Sequence, residues 1–423
     1  MDVAALRQSW AQFCVAGPEA AKHFYATLFV IAPEVRTMFP TNMEYQQDKL
    51  LAALGHVITH IDDERVVTSF AQRLGADHRR FRGEDRQGRP VPMAEWHYSQ
   101  VGQALLLTLE RFLGPRWTPA LRAEWAAAYE LVARLMLAGA AEAVRSSPPY
   151  WEAEVLRVQR RRSDVCVLTV RPNYLCEYLP GQSLPVQVPQ LRTWRYLSPA
   201  NAPRPDGTIE FHVRATGRFS TYLVRKVREG DQLLLGLPVG EALASYDRSP
   251  HLPLLLVAGG TGLAPLRAVV EALQRGPGRP TTLVVGGKTP DDLYDDRALR
   301  ELAAMPPAGS WRSGEVGGWL RYVPTVESGW QWQGAVGTAG HTAARLGPWR
   351  DTEVLVCGSP EMTRETISAL ATSGVTPERI LTESYDHSLY PPLASAAAAA
   401  PSDVTWTGAA PATPRDLSWT GAR

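Results

Sequence analysis

Trp194-Arg195-Tyr196-Leu197-Ser198-Pro199-Ala200-Asn201 is the stretch from which the rest of this chain can be read. It lies between two strand-like runs, Tyr178 to Val188 and Thr208 to Ala215, with Pro180-Gly181-Gln182 turning into the first. On an extended backbone an Arg and a Ser three residues apart stand about 10 Å from each other. That span suits a guanidinium fork on a phosphate with a hydroxyl further along the same ligand. Tyr196, between them, points to the other face of the strand.

Around this stretch the texture is that of short alternating strands: Ala153 to Arg160, Val165 to Val170, Ser183 to Val188, Thr208 to Ala215 and Gln232 to Leu237. Gly and Pro punctuate each junction, which predicts a closed antiparallel barrel over 151–249. Gly217-Arg218-Phe219-Ser220-Thr221 precedes a helical stretch, and such a turn either holds an anion on its amides or serves only as a cap. The segment resembles the ferredoxin-reductase family, whose signature is Arg-x-Tyr-Ser; Arg195 and Ser198 match, and Leu197 stands where the family has Tyr. The resemblance implies FAD, held by Arg195, Tyr196, Leu197 and Ser198, with its pyrophosphate on Phe219, Ser220 and Thr221.

Downstream, Leu254-Leu255-Leu256-Val257-Ala258 reads as a buried strand running straight into Gly259-Gly260-Thr261-Gly262-Leu263-Ala264-Pro265. Glycines at a strand-to-helix turn let a phosphate approach the backbone where the helix dipole favours it. The spacing is not that of a Rossmann fingerprint; it resembles the Gly-Gly-x-Gly-x-x-Pro of ferredoxin reductases. Cys357-Gly358-Ser359-Pro360-Glu361-Met362 resembles that family's Cys-Gly-x-x-x-Met motif, and Tyr385 the aromatic that covers the flavin. These imply an α/β parallel-sheet NAD(P) domain over 250–386, with Gly260, Thr261, Gly262, Cys357 and Gly358 on the dinucleotide. Lys288 is a lone cation followed by Thr289-Pro290-Asp291-Asp292, whose two Asp would repel a 2′-phosphate, so NADH is expected over NADPH.

Upstream, residues 1–147 read as helices throughout, with apolar spacing at Phe24, Leu28 and Ile31 and at Leu50, Leu54, Val57 and Ile58. Phe39 follows Tyr25 by fourteen residues with Pro33 between, and His78 closes a later helix. This arrangement resembles the globin domain of flavohaemoglobins. The resemblance implies haem b, with His78 as iron ligand, Phe39 on the ring, Tyr25 donating to a bound gas, and Gln46 and Leu50 beside it. Tyr98 stands for the proximal hydrogen-bond partner, after a loop longer than the family's; Ala140 falls where the family has Glu, and Glu142 comes two residues late. A carboxylate in that network raises the ligand's basicity, so its displacement weakens the electronic push. His56 and His60 share a helix face with no carboxylate motif beside them, and read as packing residues.

Composition excludes several classes. A net charge of +1 argues against nucleic acid as partner, and no apolar run is long enough to span a membrane. Four Cys lie far apart, without a CxxC pair, which excludes a disulfide framework and an ordinary zinc or iron–sulfur site. With no basic-then-apolar leader at Met1, a reducing cytoplasm is expected. The Ala/Pro-rich tail, 387–423, is expected to be disordered, and its two Trp repeats (Asp403 to Ala409, Asp416 to Ala422) to dock a protein partner. The expected activity is an oxidoreductase passing electrons from NAD(P)H through FAD to haem, with O2 and NO as substrates and nitrate as product. A haem-linked oxidase or reductase for another acceptor, or a gas or redox sensor, is the alternative.

Overall fold

The computed structural model describes residues 1–39, 43–84, 90–92, 95–240, 243–246, 249–276, 278–308, 319–329 and 331–384. Six helices build the first part: α1 (Val3–Cys14), α2 (Gly17–Ile31), α3 (Glu44–Thr59), α4 (Glu64–His78), α5 (Glu95–Leu113) and α6 (Pro119–Ala143). Asp2, Asp63 and Thr118 cap three of them through side-chain oxygens, satisfying first-turn amides. Leu6, Leu28, Leu109 and Trp125 are fully or almost fully buried between them, and the Trp125 indole donates to Ser9 Oγ at 3.0 Å. α4 and α6 cross backbone to backbone. A Cβ on Gly75 would overlap the Met136 carbonyl, and one on Gly139 the Gln72 carbonyl. This close approach fixes how α4 lies on α6, with His78 as the last residue of α4.

One feature departs from the all-helical expectation. Between α4 and α5, β1 (Arg82–Glu84) and β2 (Pro90–Pro92) pair antiparallel, Gly83 opposite Val91. Pro90 and Pro92 fit neither helix interior, and an extended ribbon is what remains for them.

The middle part is a six-stranded antiparallel sheet of β3 (Trp151–Arg160), β4 (Val165–Pro172), β5 (Leu184–Val188), β6 (Thr193–Leu197), β7 (Ile209–Arg214) and, after the helix α7 (Arg218–Arg225), β8 (Gln232–Leu235). Its order is β6-β5-β8-β3-β4-β7, and a bridge from Pro199 to Phe211 joins the two edges, so the sheet curls shut. Ala153, Val155, Leu168, Leu184, Phe211 and Leu233 fill it and are all inaccessible to solvent.

The last part alternates strands and helices: β9 (Leu254–Gly259), α8 (Leu263–Arg275), β10 (Thr281–Gly287), α9 (Asp296–Ala304), β11 (Leu320–Val326), β12 (Ala335–Val336), α10 (Ala339–Leu346), β13 (Glu353–Gly358), α11 (Pro360–Thr372) and β14 (Ile380–Ser384). The six strands form a wholly parallel sheet in the order β12-β11-β10-β9-β13-β14. β11 has no counterpart in the sequence reading because Pro324 lies inside it. Pairing with β12 begins only at Thr325, so at Pro324 the strand is still an edge, where proline is tolerated. No helix of the described residues is long and apolar enough to cross a membrane, and Cys14, Cys166, Cys176 and Cys357 form no disulfide. Tyr385 and the tail lie outside the described residues.

Candidate functional site

Two cavities meet at one strand. The first, about 260 Å³, opens inside the helical part and is lined mainly by apolar side chains, among them Phe39, Leu50, Leu54, Val101 and Met136. His78, the last residue of α4, faces it. Its Nδ1 lies 2.7 Å from the Leu74 carbonyl oxygen; a carbonyl only accepts, so Nδ1 carries the proton and Nε2 keeps its lone pair. Burial, with Lys49 nearby, lowers the pKa of His78, which holds the ring neutral. A neutral imidazole with a fixed tautomer, set in an apolar slot, is a donor set that fits haem iron.

Tyr25 lines the same cavity. Its ring packs edge-on against Phe39 at 5.3 Å, and its hydroxyl donates to the Gln46 carbonyl oxygen at 3.2 Å. Burial raises its pKa, so it remains a donor. The side chains of Gln46, Leu50 and Tyr98 also border the cavity, and among the described residues no carboxylate does.

The second cavity is a cleft of about 1400 Å³ between the curled sheet and the carboxyl ends of the parallel strands, where open α/β sheets bind ligands. Arg195, Tyr196, Leu197 and Ser198 line it, with Phe219 and Ser220 of α7 and Gly260 and Thr261 of the glycine turn. Ser198 Oγ lies 2.9 Å from Ser183 Oγ, and Arg195 donates to the Trp194 carbonyl at 2.8 Å. Gly260 has a φ of 54°, which a side chain would strain, and Gly262 beneath it lies so close to the Cys357 carbonyl that a Cβ would overlap it. The turn therefore presents bare backbone and the start of α8 to the cleft, a surface that fits a pyrophosphate. Phe39, Arg192, Thr193, Arg195 and Tyr196 line both cavities. β6 and Phe39 are thus a shared wall.

Comparison with known proteins follows this division. The globin family matches residues 22–136, the oxidoreductase FAD-binding domain 161–243 and the oxidoreductase NAD-binding domain 256–367. A flavohemoprotein from Deinococcus radiodurans is 31% identical over 287 residues, spanning 63% of this chain and 68% of that one. The chain belongs to the flavohaemoprotein family.

The flavohaemoglobin of Malassezia yamatoensis, solved with bound FAD and haem, superposes with a TM-score of 0.70 over 90% of this chain and 98% of that one; at 16% identity this shows the shared fold. The ferredoxin–NAD(P)+ reductase component of the naphthalene 1,2-dioxygenase system from Pseudomonas putida is 31% identical over 244 residues, 55% of this chain and 67% of that one. This flavohaemoprotein thus binds haem, FAD and a pyridine nucleotide, and passes electrons from NAD(P)H through FAD to haem.

The structure also places the other side chains that the sequence singles out, some as expected and some not. The proton on His78 Nδ1 goes to the Leu74 carbonyl, and the Tyr98 hydroxyl has no hydrogen-bond partner among the described residues. Glu142 is exposed and pairs with Arg145 at 2.9 Å, away from the cavity. Thr221 does not border the cleft, and its amide already donates to the Gly217 carbonyl within α7. The Ser220 hydroxyl accepts the amides of Thr216 and Gly217, acting as a local cap. Gly262, Cys357 and Gly358 lie behind the cleft surface, Cys357 buried in β13 in register with Ala258. His56 and His60 stack at 4.5 Å, and no group of three metal-ligating side chains occurs among the described residues.

Sequence reasoning also missed residues of the helical cavity. His97 is buried and lines it beside Tyr98, as do Lys49 and Arg80. Lys49 lies 4.7 Å from the centroid of the Tyr196 ring, and its pKa falls to about 7, chiefly through burial, then through Arg80 and Arg195. Arg80 forms a buried ion pair with Asp77 and stacks 5.3 Å from Trp194. Lys49 lies on α3 and Arg80 two residues past α4, segments with no sequence motif to connect them to β6.

Proposed function

We propose that this chain is a nitric oxide dioxygenase. The observation that carries the reading is the shared wall: His78 and Tyr25 face a cavity that has Phe39, Arg192 and β6 in common with the flavin cleft. When bound, FAD takes a hydride and releases single electrons, and haem iron takes one at a time and supports the reaction of dioxygen with NO to give nitrate.

The residues act as follows. His78, held in its tautomer by Leu74, would supply Nε2 to the iron. Phe39 would pack against the macrocycle, the Tyr25 hydroxyl would donate a hydrogen bond to dioxygen, and Gln46 and Leu50 would shape the approach of NO. Arg195, Ser198 and the first-turn amides of α7 hold FAD, and Gly260 and Thr261 the dinucleotide. A neutral carbonyl on Nδ1 makes His78 less basic than a carboxylate there would, which weakens the electronic push on the iron. That feature favours a second reading, an NAD(P)H oxidase or reductase serving another acceptor.

The test is stoichiometric. With NADH, air and added NO, nitrate should form as NADH is consumed, in a ratio of about two to one, because a hydride carries two electrons and each turnover needs one. Brisk dye reduction with NO lost no faster than in buffer supports the second reading instead.

A further inference from the structure

β7 runs between the two ligand-binding elements of the cleft. Along one side Phe211 bridges to Pro199, the residue after Ser198, and the Ala200 amide donates to the Glu210 carbonyl at 2.7 Å. At the strand's end the Arg214 guanidinium reaches the glycine turn, 3.5 Å from where a Cβ on Gly260 would stand. Phe211 and Val213 point inward and are buried in the barrel core. By the pleat, Glu210, His212 and Arg214 share the opposite face.

Each of these three is held by a different residue of the parallel-sheet part. Glu210 takes Arg267 of α8 at 3.3 Å, His212 Nδ1 lies 2.9 Å from the Tyr294 hydroxyl, and Arg214 meets Asp292 at 3.2 Å. Asp292, which in the sequence seems placed to repel a phosphate, is thus taken up by this row, with Arg162 on it as well at 2.9 Å. Between the two ion pairs the His212–Tyr294 contact is uncharged at the imidazole, because burial lowers the His212 pKa well below its ordinary value.

A hydride passes from nicotinamide to flavin only when the reacting atoms come within about 3–3.5 Å. On the reading that Ser198 borders the flavin and the Gly260–Thr261 turn holds the dinucleotide, the two ligands sit on different parts of the chain. Their spacing is then set where those parts meet. We propose that the Glu210–His212–Arg214 face of β7 is the spacer that brings nicotinamide and flavin to reacting distance, with the His212–Tyr294 hydrogen bond at its centre. His212 and Tyr294 are positioning residues in this account, acting through the strand and the interface.

Tyr294 does not border the cleft, so Tyr294→Phe removes a hydroxyl that lies away from both ligands. His212 Nδ1 is then left buried without its partner, and the interface should shift to satisfy it. In the anaerobic holoprotein this variant should keep its FAD and bind NAD+ within about twofold of wild type, while the limiting rate of flavin bleaching by NADH falls about tenfold, since a misplacement of about 1 Å can cost about a hundredfold. The long-wavelength charge-transfer absorbance of reduced flavin with NAD+ should weaken too, a readout of ring stacking that needs no turnover. His212→Phe combined with Tyr294→Phe replaces both partners by apolar groups of similar shape, and should restore most of the limiting rate. A single variant whose limiting rate stays within about twofold of wild type overturns the proposal, as does a double variant no faster than the single one. So does a rate loss matched by loss of NAD+ affinity or of FAD, which would make the pair a binding or folding element. Gly260→Ala tests the underlying reading separately: it should weaken NAD+ binding with Tyr294 intact, and unchanged binding would remove the turn from the dinucleotide and the spacer with it. No NO or oxygen enters these assays, so their outcome is independent of the dioxygenase reading.

Discussion

His78→Ala should strip the protein of haem while leaving its flavin in place. Loss of an outer hydrogen bond to a metal-ligating histidine typically lowers metal affinity ten- to a hundredfold, and removing the ligand itself should exceed that. The Soret band should therefore drop below about a tenth of its wild-type height. The flavin spectrum should persist, since Arg195, Ser198 and α7 belong to a separately packed barrel core. The competing outcome has a named source: His97, buried against the same cavity, is a second imidazole. A variant that keeps a normal ferrous-CO Soret band would assign the iron to another ligand.

Tyr25→Phe should release dioxygen faster. The hydroxyl now donates to the Gln46 carbonyl, and it has one proton to give. A donation to polarised dioxygen contributes about 1.5–3 kcal/mol, and the bond surrendered is worth about 0.5–1.5. The net effect is roughly 1–2 kcal/mol, or roughly a five- to thirtyfold faster oxygen off-rate, with a matching fall in NO consumption. Phe fills the same volume against Phe24 and Phe39, so the cavity keeps its shape. Stopped-flow measurement of oxygen release checks this, and an off-rate within twofold of wild type would remove Tyr25 from the donor role.

What the sequence discloses here is what is local in the chain. Arg195 sits on a strand and Ser198 just past its end, Gly259 to Gly262 share a turn, and His78 closes a helix, so each can be read from its neighbours. The long-range pairings cannot. Asp292 looks like a phosphate repellent until Arg162, 130 positions away, is found beside it. Nothing local in the sequence marks Lys49 and Arg80, which lie against Tyr196 and Trp194 of β6. Pro324 hides a strand because strand patterns penalise proline, and only the late start of β12 explains its tolerance. The proximal histidine is recognisable from sequence, but its hydrogen-bond partner is not, since a backbone carbonyl has no residue signature. The shared wall is likewise visible only in three dimensions.

That wall makes the most direct test possible. The holoprotein is mixed anaerobically with NADH, and flavin and haem absorbances are followed together in one stopped-flow record. If the haem is served by the flavin of its own chain across β6 and Phe39, flavin bleaching is followed by haem reduction at a first-order rate that does not change with protein concentration. Haem reduction that accelerates in proportion to protein concentration, or haem that stays oxidised beside a fully reduced flavin, would contradict the account.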